Sequence, residues 1–205
     1  MDLSAVEIRV LGSLLEKQRT TPDAYPLTLN GLRLACNQAT NRDPVVDYGE
    51  DEIREALDRL RRRGYTRLTS GHGSRAPKFR HLLDEALGLP RDELALLTVL
   101  MLRGPQTPGE LKQRTDRLHD FGSLEAVGEG LERLIGRELV TRLGRRPGQK
   151  EERYAQLLGE DEGAVESEPA PARARRPEPE AEDGLAERVE RLEARVAALE
   201  EGLGG

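Results

Sequence analysis

Apolar positions recur along this chain at helical spacing, in two series that end the same way. Ile53, Ala56, Leu57 and Leu60 fall at i, i+3, i+4 and i+7, one face of an amphipathic helix. Gly64 follows, where a left-handed cap costs glycine no Cβ clash. Tyr65-Thr66-Arg67-Leu68-Thr69 has strand composition, Gly71-His72-Gly73-Ser74 reads as a hairpin turn, and residues 79–83 close the pair. Helix followed by hairpin is the second half of a winged helix. The series returns at residues 131–158. Leu57 and Leu60 match Leu131 and Leu134, and 65–68 match 140–143 after a one-residue insertion. Phe79 with Leu82 and Leu83 matches Tyr154 with Leu157 and Leu158, with wings of equal length between. Recurrence of helix, strand, wing and strand in one order predicts two copies of one module.

The remaining pattern supplies the first halves of both modules. Ser4-Ala5-Val6-Glu7 is a capping box with Leu3 and Ile8 as its staple, opening a helix to about Lys17 that buries Val10, Leu11, Leu14 and Leu15. A second helix over 28–38 buries Leu29, Leu32 and Cys36, and a third runs over 50–63. The second module opens with Pro90 as first helical residue. From Leu94 to Leu102 almost no polar face remains, so this helix is buried on several sides. A winged helix covers one stripe of it. The rest needs another surface, either the first module or a second chain. Thr107-Pro108-Gly109-Glu110 is a second capping box, and Ser123 caps a helix with Leu124, Val127, Leu131 and Leu134 inside.

Past Gly159 the pattern stops. Residues 160–184 are rich in Glu, Pro and Ala and are expected to be disordered. Leu185, Val189, Leu192, Val196 and Leu199 then form a short heptad seam. The predicted fold is mainly α with small β-hairpin wings: winged-helix domains at 1–86 and 87–159, an acidic linker at 160–184, and a coiled-coil-like helix at 185–201. A homodimer made through the modules and reinforced by the tail is expected.

Composition sharpens this in two places. Aromatics are only 3% of the 205 residues, so the cores are built from Leu, Val and Ala. The net charge of −6 is uneven: residues 1–88 and 89–158 come to +1 each, and 159–205 to −8. The folded part is close to neutral, unlike a strongly basic nucleic-acid binder. Cys36 is the sole cysteine, which excludes an intrachain disulfide. With no secretory signal pattern and no span long enough for a bilayer, a cytoplasmic location is expected and a membrane is not.

Catalytic chemistry finds no anchor. Gly71-x-Gly73-x-x-Ala76 matches a dinucleotide fingerprint as a string, but Pro77 and a strand follow where a helix N-terminus is needed. His72, His81 and His119 lie far apart, and one cysteine makes no zinc knuckle. No catalytic residue, metal or cofactor is expected. The candidate chemistry is cationic. Arg62, Arg63, Arg67, Arg75, Lys78 and Arg80 belong to a run free of acidic residues, echoed by Arg142, Arg145, Arg146 and Lys150. These are candidate contacts to DNA phosphates, weighed against an ordinary solvated face. Glu50, Asp51, Glu52 and Glu55 occupy the start of one third helix, and Glu125 and Glu129 the other. Carboxylates there repel phosphates, so the wings are expected to contribute more than the helices.

Several polar runs carry a resemblance. They are Glu16-Lys17, Thr20-Thr21-Pro22, Tyr25-Pro26-Leu27-Thr28-Leu29-Asn30, Ala35-Cys36-Asn37-Gln38, Arg42-Asp43-Pro44-Val45, Gly73-Ser74-Arg75, residues 101–111, Pro147-Gly148-Gln149-Lys150-Glu151 and Arg153-Tyr154-Ala155. Over residues 3–158 the chain resembles the YceH-like family of bacterial proteins. That resemblance implies tandem winged helices and supplies no function. The expected function is a non-enzymatic, cytoplasmic DNA-binding regulator of transcription. The alternative is a protein-interaction scaffold on the same fold, with a protein partner in place of DNA.

Overall fold

The Ser4 hydroxyl accepts the Glu7 N–H at 3.3 Å and the Glu7 carboxylate accepts the Ser4 N–H at 2.8 Å, so α1 (Ala5–Thr20) starts at the expected capping box. The computed structural model describes residues 1–69, 76–144 and 151–159, all within one compact unit, Met1–Glu162. After a 3-10 turn come β1 (Leu27–Thr28), α2 (Leu29–Cys36), α3 (Glu50–Arg62), β2 (Thr66–Thr69), β3 (Lys78–His81) and α4 (Leu83–Leu87). The second half holds α5 (Arg91–Arg103), α6 (Pro108–Thr115), α7 (Leu124–Gly136), β4 (Val140–Leu143) and β5 (Arg153–Gln156). The described chain is mainly helical, with small antiparallel sheets ordered β1-β3-β2 and β4-β5. Three helices and a hairpin in each half are consistent with a winged-helix-like unit. The linker at 160–184 and the heptads at 185–201 lie outside the described residues.

The repeat is closer than the sequence suggests, and its insertion lies elsewhere. Gly64 (φ 77°) and Glu138 (φ 57°) both take the left-handed position after the third helix. In one half the Tyr65 N–H reaches Leu60 O (2.9 Å), and in the other the Leu139 N–H reaches Leu134 O (3.0 Å). Tyr65 is therefore the counterpart of Leu139, and Thr66 of Val140, with no insertion before the strand. Beyond the strands Leu82 donates to Tyr65 O and Leu157 to Leu139 O, both at 2.8 Å. The extra residue sits between β4 and β5, so the wings are unequal. The shared string Thr-Arg-Leu misaligns the strands by one, and in a strand a slip of one reverses every face. Even the third strand has a trace in the second half. Leu27 pairs with Phe79, and Gln106 bridges Tyr154, each just before the threonine that caps α2 or α6.

A buried carboxylate repeats as well. Glu7 and Glu93, each third in its helix and 2% exposed, receive Arg59 (3.2 Å) and Arg133 (2.7 Å) from the third helices. Arg137 adds a second guanidinium to Glu93 at 3.3 Å.

Some local expectations differ. Pro90 is the cap before α5 rather than its first residue. Leu83 begins the short helix α4 instead of ending a strand, and α2 stops two residues early. Leu124 is half exposed because it opens α7, with no preceding turn to cover it.

The centre of the fold is the packing of α1 on α5. Residues 94–102 are all buried. Of the two surfaces expected to cover α5, it is the first module. Gly12 lets the helices close: a Cβ there would stand 2.9 Å from Leu102 Cδ2 and 3.2 Å from Met101 Cβ. Gly130 does the same where α7 meets Leu96 Cδ1.

Glu138 offers a direct stability test. It is exposed and holds a conformation that L residues disfavour. Glu138→Gly is expected to stabilise the protein by about 0.5–1 kcal/mol, read by chemical denaturation. Unchanged or lowered stability would show that the left-handed cap carries no strain.

Candidate nucleic-acid interface

Register decides which cations of the hairpins stand together. In the first hairpin Arg67 lies opposite Arg80, and Thr69 opposite Lys78. Alternation puts Arg67, Lys78 and Arg80 on one face, and Thr66, Leu68, Phe79 and His81 on the other. Thr66 and His81 are buried and Phe79 half-buried, so the second face looks inward there, although Leu68 further along it is exposed. Like charges directly opposite each other destabilise a strand pair. Arg80 is relieved by Glu85 at 2.6 Å. Arg67 and Lys78, with exposed Arg62 and Arg63 at the end of α3, have no ion pair among the described residues.

The second hairpin differs. Its outward face carries Thr141, Leu143, Arg153 and Ala155. Arg153 faces Glu110 at 3.7 Å. Arg142, one register step from where the sequence puts it, turns to the opposite face over the Tyr154 ring, 5.7 Å from its centroid. It also pairs with Glu132 and with Glu152 (3.5 Å). Tyr154 and these carboxylates raise its pKa further, so its charge is already answered. Arg75, Arg145, Arg146 and Lys150 lie outside the described residues, as do His72 and the glycine turn. The acidic starts of α3 and α7 are exposed: Glu50, Asp51, Glu52 and Glu55 in one, Glu125 and Glu129 in the other.

Beneath the first hairpin sits a buried histidine. His81 Nε2 is 2.7 Å from Gln18 Oε1, and its backbone N–H donates to the Tyr25 hydroxyl at 2.9 Å. Nδ1 stands 3.5 Å from Asp84 and makes no hydrogen bond among the described residues. Burial pushes the imidazole pKa down to about 4, against the pull of Asp84. The same burial pushes Tyr25 up to about 12. Since the folded pKa of His81 lies below its ordinary 6.5, the unfolded chain binds the extra proton first. Stability is expected to fall as pH drops from about 6.5 towards 4, and to fall less in His81→Gln. Equal acid limbs in melts of both proteins would clear His81 of this role.

A family model described as "Protein of unknown function, DUF480" matches residues 3–149. The chain belongs to this family. A UPF0502 protein of Geotalea daltonii is 53% identical over 176 residues, covering 84% of this chain and 80% of that relative. Another, from Pseudomonas fluorescens, is 48% identical over 202 residues, covering 98% of this chain and 92% of the relative. A third, from Pseudomonas aeruginosa, is 52% identical over 168 residues, covering 80% and 75%.

Several polar residues of the runs that carry the family resemblance hold the fold together. Buried Arg42 donates to Glu16 (2.6 Å), Gln38 (3.1 Å) and the carbonyl of Ala35 (2.9 Å). Buried Arg9 reaches the carbonyls of Cys36 (3.0 Å) and Pro44 (2.7 Å), and Asn37 exchanges two hydrogen bonds with the Tyr48 backbone. Together they pin the loop between α2 and α3. Cys36 is buried, and its thiol is pushed up to about 11 by desolvation, which suits a core residue rather than a nucleophile. Among the described residues no helix is long and apolar enough to cross a membrane.

Proposed function

We propose that the two halves are tandem winged helices and that the protein is a non-enzymatic, cytoplasmic DNA-binding regulator, held to phosphates by the first hairpin. The observation that carries this reading is the outward row of Arg67, Lys78 and Arg80, with Arg67 and Arg80 in register and no carboxylate facing Arg67 or Lys78. Placing like charges opposite each other works against the fold, and an anionic partner would offset it. The basic end of α3, with Arg62 and Arg63, extends the same positive region along the chain. Arg145, Arg146 and Lys150, between β4 and β5 in sequence and outside the described residues, stay candidate phosphate contacts in this proposal.

The exposed acidic starts of α3 and α7 favour a second reading, a protein-interaction scaffold whose partner is basic. A dimer is part of the proposal. It would form through the modules, by surfaces other than the covered α5, with the tail as reinforcement. A mobility-shift titration of the full chain on duplex DNA over salt concentration separates the two readings. Counterion release gives a steep loss of affinity with salt. No shift at low salt would leave the scaffold.

A further inference from the structure

Where the two halves meet, a cleft of about 330 Å³ opens between α1, the loop at Asn41, α5 and α6. Buried Val99 and Leu102, with half-buried Leu118, give it an apolar side. Arg103, Arg114 and Arg117 give it a cationic one. Their charge is poorly answered. Arg103 bonds the side-chain oxygen of Asn41, which is neutral. Arg114 meets Glu110 at 3.4 Å, and Arg117 has no ion pair among the described residues. Glu16 also lines the cleft, but its carboxylate is taken by buried Arg42 at 2.6 Å. Burial and the nearness of Arg114 and Arg42 lower the Arg103 pKa, against the pull of Glu16 and Asp43.

We propose that this cleft binds a small organic phosphate, its phosphoryl oxygens held by Arg103, Arg114 and Arg117 and its body resting on Val99, Leu102 and Leu118. Guanidiniums pair with phosphoryl oxygens through two parallel hydrogen bonds, which makes arginine the apt residue here. Sites for small molecules start at about 300 Å³, so the volume suits a compact molecule of mononucleotide size. The mixed lining requires both a charge and an apolar or planar body. The cleft shares no residue with the basic hairpin face, so it stands whether or not DNA is bound there.

The test is calorimetric titration and thermal unfolding of the full chain, with ADP and inorganic pyrophosphate as probes. ADP is expected to bind one per chain and raise the melting temperature. Pyrophosphate, lacking the body, is expected to bind more weakly. Arg103→Gln and Arg117→Gln are each expected to weaken ADP about tenfold, and Arg54→Gln, on α3 and not lining the cleft, to leave it unchanged. Arg117 is exposed, so its variant decides the matter if Arg103→Gln fails to fold. Absence of ADP binding up to about 10 mM, some four decades above a micromolar site, overturns the proposal. Equal affinity in the arginine variants overturns it too. So does a short single-stranded oligonucleotide that displaces ADP and loses affinity in the same variants, since the cleft would then be a nucleic-acid track.

Discussion

Arg67→Ala combined with Lys78→Ala is expected to lower affinity for duplex DNA by about tenfold near 0.1 M salt and to flatten the slope of log affinity against log salt by about 2. Each phosphate neutralised releases roughly 0.9 counterion, so two lost contacts account for the slope. The loss should be nearly the same on every sequence, because these side chains end a hairpin face rather than a helix aimed at base edges. Both residues point outward, and neither holds an ion pair among the described residues, so their removal disturbs little of the fold. Removing the Arg67–Arg80 opposition should even raise stability slightly. Arg142→Ala is the matched control. Its guanidinium is taken by Tyr154, Glu132 and Glu152, and its loss should change the salt slope by much less. An unchanged slope in the double variant, or an equal change in Arg142→Ala, would remove the first hairpin from the interface.

Gly12→Val is expected to destabilise the whole described unit by about 2–3 kcal/mol, through overpacking at the closest approach of α1 to α5. The new Cβ alone would stand 2.9 Å from Leu102 Cδ2 and 3.0 Å from its Cγ, before either γ-methyl is placed. Leu102 is 3% exposed and Met101 5%, so neither has open space to move into. Because α1 belongs to one half and α5 to the other, the damage is shared. A single cooperative transition should persist and shift down by roughly 4–10 °C. Two separate transitions, with only one displaced, would mean that the halves unfold independently and that the shared core contributes little. Gly159→Ala should act more locally, since its Cβ would meet Leu3 O at 2.6 Å where the end of the described chain closes on its beginning.

The capping boxes at Ser4 and Thr107, the cap at Ser123 and the apolar faces of α3 and α7 were legible in the sequence because they are local. A serine or threonine three residues before a glutamate satisfies orphan amides whatever surrounds it. The all-round apolarity of α5 was equally legible, since a helix without a polar face has to be covered. What covers it was not. The choice between α1 and a second chain depends on Gly12 meeting Leu102, a contact between residues far apart in sequence. The cations were legible as residue types and illegible as a surface. Leu68 and Arg142 hold equivalent places, yet the repeated Thr-Arg-Leu string hides it. Only the cross-strand register, fixed by the left-handed caps at Gly64 and Glu138, turns Arg67 outward and Arg142 onto Tyr154. Arg114 and Arg117 belong to no motif, and Arg103, though within the run 101–111, carries no mark there of a binding residue. Their cleft exists because α5 and α6 pack against α1 and the loop at Asn41. The sequence by itself determined the elements, their caps and the repeat, all set by interactions within a few residues. Tertiary structure decided which charges are answered, because a guanidinium is answered by whatever carboxylate folding brings within reach.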